Sequence, residues 1–241
     1  MIATAGIIIF VAYTMFGISG FGSSIIATPF LALLFPLKFI VPMMVVLDLC
    51  SASLLAMRAH HHVTWREIAK LLPWAALGML VGVTLLVQAP ERLLLALLAL
   101  FVLAYLARTC FGRPKTAPIA ANWRVPFGIV GGVFTSLYGT GGPIYAIYMT
   151  RRIFDTHALR ATMSMLILIN ATVRVSMFTA AGLYAQPGLL ALCAALLPVG
   201  LLGLWLGSYL HHRLPAARVV QAIQLVILLG ALNLLYKALV S

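Results

Sequence analysis

Uninterrupted apolar runs decide what this 241-residue chain can fold into. Leu93 to Ala107 and Leu189 to Leu210 contain no charged residue. In hydrocarbon every backbone amide and carbonyl must find its partner inside the protein, so runs of this kind fold as α-helices. Nothing in the chain shows the apolar–polar alternation of a barrel strand. Hydrophobic residues make up 63% of the chain and charged ones 8%, too few for a water-facing surface. The expected class is an all-α polytopic membrane protein whose main partner is the lipid bilayer. Its net charge of +12 would suggest nucleic acid in a soluble protein, but here it fits basic loops facing anionic lipid. The N-terminus has no basic stretch before its apolar run and no Ala-x-Ala site after it, so it reads as a retained first helix.

Two of the apolar segments are broken by glycine at matching places in the two halves. The first break is Gly17-Ile18-Ser19-Gly20-Phe21-Gly22-Ser23-Ser24, and the second is Tyr138-Gly139-Thr140-Gly141-Gly142-Pro143. Each is flanked by about 15 apolar residues, roughly 22 Å of helix, short for a hydrocarbon core of ~30 Å. Sliding the chain by 119 to 125 residues places Gly20-x-Gly22 on Gly139-x-Gly141 and Asp48 on Asn170. Pro73-x4-Gly78-x3-Gly82 then falls on Pro198-x4-Gly203-x3-Gly207, and Pro90 on Pro215. Each half holds five apolar segments, near 2–17, 22–36, 39–57, 69–88 and 92–109, then 125–138, 142–150, 159–181, 188–209 and 217–238. The expected organisation is a first membrane repeat over 1–112, a connecting cytoplasmic loop over 113–122 and a second membrane repeat over 123–241.

Five segments per half predict two inverted-topology repeats, and charge supports this. Loops 58–70, 108–124, 151–160 and 211–218 hold twelve of the sixteen Lys and Arg residues, which assigns them to the cytoplasmic side. Lys38, Arg92 and Lys237 fall on the other side, and Arg174 lies within a helix. Both termini are then outside. Paired broken helices in an inverted repeat are the sequence mark of a transporter's substrate site. The breaks are expected as half-helices near the midplane, either re-entrant hairpins or short tilted spans.

The second arm of each break begins with residues suited to a helix start. Ser23 and Ser24 are good N-caps, and Pro143 suits a first helical position. Free amides and the positive end of the dipole there attract an anion. The candidate substrate-binding residues are therefore Ser19, Gly20, Gly22, Ser23, Ser24, Tyr138, Gly139, Thr140, Gly141, Gly142, Pro143, Asn170 and Arg174. An arginine within a span is costly unless it meets a partner, a cavity or the surface. For Arg174 all three stay open: facing the anion, pairing with Asp48, or snorkelling outward. Asp48 is read as a proton-coupling group, a salt-bridge partner of Arg174 or an inert protonated core residue, and Asn170 cannot titrate in its place.

Other residues carry less chemistry. Three consecutive histidines, His60-His61-His62, point in different directions on a helix and read as an interfacial turn, not a metal site, and His211-His212 reads likewise. Glu67 and Glu91 are expected in solvated loops beside Arg66 and Arg92. Cys50, Cys110 and Cys193 form no Cys-x-x-Cys and read as small apolar side chains. No metal, cofactor or catalytic group is expected.

Gly20-Phe21-Gly22-Ser23-Ser24-x4-Pro29 in one half resembles the TauE/SafE family, the sulfite exporter or toluene-sulfonate uptake permease-like proteins. So does Gly131-Gly132-x6-Gly139-x-Gly141-Gly142-Pro143 with Tyr148 in the other, and the resemblance spans essentially the whole chain. Phe21, Ser23 and Ser24 stand where glycines are frequent in the family. The resemblance implies a bacterial inner-membrane permease for small sulfur-containing anions such as sulfite, sulfoacetate or other organosulfonates. The expected function is a secondary transporter of such an anion by alternating access, with protons as the candidate coupling ion. Its rivals are a passive anion channel and a membrane protein without transport activity.

Overall fold

A computed structural model describes residues 2–20, 22–111, 118–210, 228 and 230, and the regular structure there is helical. The chain forms α1 (Ile2–Ser19), α2 (Ser23–Leu31), α3 (Leu37–Ala59), α4 (Trp65–Gln88) and α5 (Glu91–Phe111). It continues with α6 (Arg124–Tyr138), α7 (Gly141–Met149), α8 (Thr156–Ala180) and α9 (Leu189–Leu210). Among the described residues, α3, α4, α5, α8 and α9 are long and apolar enough to cross a membrane. Residues 113–117 of the connection, all but residues 228 and 230 of the segment expected at 217–238, His211-His212 and the side chains of Ser19 and Cys110 lie outside the described residues.

Local sequence sets the ends of these helices. Gly20, Gly22 and Gly139 adopt φ of 79°, 98° and 74°, a left-handed backbone that stops α1 and α6 without the penalty a Cβ would bring. Pro36 and Pro90 directly precede α3 and α5, where a missing amide costs nothing. Asp155 caps α8 by accepting a 2.7 Å hydrogen bond from Ala158 N, which holds its carboxyl below the usual carboxylate range. The arms α2 and α7 have 9 residues each, about 13 Å of helix, too short to cross alone.

The long helices associate in pairs: α4 along α6, α1 along α9 and α3 along α8. In lipid such pairing depends on close backbone approach rather than on a hydrophobic driving force, and small residues make that approach possible. A side chain at Gly78 would strike the Ile129 carbonyl, and one at Gly82 the Val133 carbonyl. In the other pair, Gly203 lies against the Phe10 carbonyl and Gly207 against that of Thr14.

Hydrogen bonds between connections define the two ends of the bundle. At one end Lys38 Nζ donates to Val87 O, Leu37 N to Glu91 and Gln186 Nε2 to Lys38 O. At the other, Arg152 donates to both Glu67 oxygens at 3.0 and 3.2 Å and to Ile119 O, while Tyr148 also donates to Glu67. This corrects the expectation of a solvated Glu67. It occupies the first turn of α4, is 6% exposed and is paired with Arg152 and Lys70. The partner that buries it is 85 residues away, so Arg66 beside it gave no hint. Glu91 is exposed and starts α5.

Candidate functional site

The turn at Gly20–Gly22 and the turn at Gly139–Thr140 meet inside the bundle. A Cβ added to Gly139 would collide with Ser24 Oγ, and Thr28 donates a 3.1 Å hydrogen bond to the Tyr138 carbonyl. Between the turns, and against α3 and α8, lies a cavity of about 20 Å³. That is room for about one water molecule. From the breaks it is lined by Gly22, Ser23, Gly139 and Gly142, and from α3 and α8 by Asp48, Ile167, Asn170, Ala171 and Arg174. Thr135 and Tyr145 complete the wall.

Asp48 belongs to the first break. Its Oδ1 accepts from the Tyr13 hydroxyl at 2.7 Å and the Ser23 hydroxyl at 2.8 Å, and its Oδ2 from Ser24 at 3.2 Å. The serines therefore do not cap α2. The N-cap is Gly22 with no side-chain bond, and both serines stand in the first turn turned toward Asp48.

Arg174 belongs to the second break. It is 3% exposed, so it does not snorkel to the surface. Neither an ion pair nor a hydrogen bond joins it to Asp48, although the two lie close enough to interact electrostatically. Among the described residues, its Nε and Nη2 have no hydrogen-bond partner, and neither do Asn170 Oδ1 or Thr140 Oγ1. The guanidinium stands 5.5 Å over the Phe178 ring, and its Nη2 is 3.6 Å from where a Gly139 Cβ would be. A buried cation with two free donors beside a cavity is arranged to receive an acceptor, since an unmet charged donor costs more than an unmet neutral one.

Other expected residues do not line the cavity. Tyr138 turns its hydroxyl to Leu94 O at 2.7 Å. Gly20 packs against Arg160 and Ser164, and Gly141 against Thr135. Pro143 stands third in α7, not first, and Thr140 is the N-cap without a side-chain bond. Tyr13, Thr135 and Tyr145 were not expected at the site. Their signal is helical spacing to the breaks. Tyr13 precedes Gly17 and Gly20 by one and two turns, Thr135 precedes Gly139 by one turn, and Tyr145 follows Gly141 by one. Gly131 leaves the space that the Tyr145 ring fills.

The chain is 25% identical to the "Probable inner membrane transporter protein TsaS" of Comamonas testosteroni over 194 residues, 80% of this chain and 81% of that one. No solved structure matches. The family described as "Sulfite exporter TauE/SafE" matches residues 5–234. The chain is a multi-pass membrane protein of the TauE/SafE family, a family of membrane transporters.

Proposed function

We propose that this protein is a secondary transporter of a small sulfur-containing oxyanion, sulfite or a short organosulfonate, across the inner membrane. The observation that carries the reading is Arg174, buried, with no hydrogen-bonding partner for Nε and Nη2 among the described residues, and beside a cavity between two helix starts. The amides at the starts of α2 and α7 add partial positive charge. An oxyanion matches the fork of a guanidinium better than a neutral solute does.

The halves over 1–112 and 123–241 act as inverted repeats joined by the 113–122 loop. Contacts support this. Exchanging the halves turns the α1–α9 pair into the α6–α4 pair and leaves α3–α8 as itself. The Gly78–Ile129 and Gly82–Val133 contacts become Gly203–Phe10 and Gly207–Thr14. The α2–α3 connection lies at one end of the bundle and the α7–α8 connection at the other. With the basic end inside, α1–α2 is a hairpin entered from outside, α6–α7 one entered from inside, and both termini are outside.

The cavity is too small for a sulfur oxyanion, so loading requires one turn to move away from the other. This favours alternating access over a standing anion pore. Asp48 supplies the coupling. Its hydroxyl partners can donate to a carboxylate or accept from a carboxylic acid, so either protonation state fits without repacking. An anion entering beside ionised Asp48 is repelled, and protonation removes that repulsion. Anion and proton then move together.

Flux into proteoliposomes tests the proposal. Sulfite or a short sulfonate is expected to cross saturably and to be driven by a pH gradient, with neutral sulfones and sulfoxides left behind. Equal flux of neutral and anionic solutes, or unsaturable channel-sized currents, would contradict it.

A further inference from the structure

We infer that Arg160 forms a second anion-binding step on the inner side of the cavity, handing the substrate between Arg174 and the cytoplasm. The inference rests on the transporter reading above. Positions 160, 164, 167, 171 and 174 of α8 recur at intervals of three and four and so share one face of the helix. Ile167, Ala171 and Arg174 line the cavity, and Ser164 is buried one turn below Ile167 on the same face. Arg160 closes the row from the first turns of α8, about 21 Å from Arg174 along the helix.

Arg160 packs against the first break. Arg160 Nη2 donates a 2.6 Å hydrogen bond to the Gly17 carbonyl, near the end of α1. Its Cγ lies 3.0 Å from where a Cβ on Gly20 would stand, and Ser164 Oγ lies 3.6 Å from the same point. Gly20 has φ of 79°, the left-handed backbone that favours glycine, and it meets the Arg160 and Ser164 side chains without a Cβ of its own. In the closed conformation the guanidinium holds a neutral carbonyl through one N–H. An oxyanion arriving past the turn offers two charged acceptors to the same fork, and a bidentate charge-assisted contact outcompetes a single bond to a carbonyl. Moving from Gly17 O to the anion frees the end of α1 and opens the inner side. The arginine thus both latches the turn and receives the substrate.

Side-resolved transport tests this. Half-saturation for sulfite is measured separately from the inner and outer faces in oriented proteoliposomes, for wild type, Arg160→Gln and Arg160→Lys. Arg160→Gln is expected to raise the inner half-saturation concentration about tenfold and to leave the outer value within about twofold. Arg160→Lys keeps the charge and a single donor for Gly17 O but not the fork. It is expected to restore thermal stability and maximal rate while the inner value stays raised. If lysine restores the inner value as well, or if both faces change equally, Arg160 is only a structural clasp and the inference is wrong. Should wild type carry no anion, the transporter reading and this inference fall together; normal wild-type flux with an unchanged Arg160→Gln overturns the inference alone.

Discussion

The two breaks share a backbone plan and differ in the polar groups gathered around them. Each ends a helix at a left-handed glycine and restarts it as a nine-residue arm. Around the first, polar groups are matched, with Tyr13, Ser23 and Ser24 converging on Asp48. Around the second they are left open at Thr140, Asn170 and Arg174. The two turns bring two helix starts to one place, and different residues of α3 and α8 then face them. Beside the first break stands an acid with three hydroxyl partners, and beside the second a buried cation whose Nε and Nη2 meet no acceptor among the described residues. A strictly symmetric pair would have given two acids or two amides, and under the proposed function neither arrangement would both bind an anion and couple it to protons.

Removing the cation should break this comparison most severely. Arg174→Gln is expected to cut sulfite flux by about 100-fold, in line with about 2–5 kcal/mol for truncating a buried hydrogen-bonded charge. Flux measured at saturating and sub-saturating sulfite checks it. The packing seams should behave as equals across the halves. Gly78→Ala and Gly203→Ala each push a methyl against a backbone carbonyl and should cost about 1–3 kcal/mol, with closely similar losses of melting temperature in detergent. Unequal losses would argue against the repeat. Asp48→Asn is expected to lower proton-driven accumulation by about tenfold per pH unit of gradient while sulfite counterflow persists, as for a carrier coupled to one proton. The smallest effect is expected from Ser24→Ala, about 1 kcal/mol of stability, because Asp48 keeps Tyr13 and Ser23.

Much of the scaffold could be read from residues alone because lipid imposes few solutions. Apolar runs dictated helices, and glycines without side chains fixed where helices stop. The position of Arg174 within a span marked it before any geometry was known, since an arginine there demands an explanation. Long-range partners were not legible. Glu67 seemed solvated because Arg152 and Tyr148 are distant in sequence, and Tyr13 was passed over because a tyrosine in an apolar helix looks like packing. Ser23 and Ser24 were expected to cap α2. Local capping rules predicted a bond to α2 amides, and the buried carboxylate on α3 took the hydroxyls instead.

The proposed transport requires an oxyanion to bind at Arg174 between the two breaks. Its most direct test is ligand-induced stabilisation of the detergent-purified protein by sulfite and short sulfonates, in wild type and Arg174→Gln. At a hundredfold excess over its dissociation constant, a bound anion should stabilise wild type by about 2.7 kcal/mol and leave the folded variant unmoved. Equal stabilisation of both proteins, or none of wild type by any anion, would contradict the site.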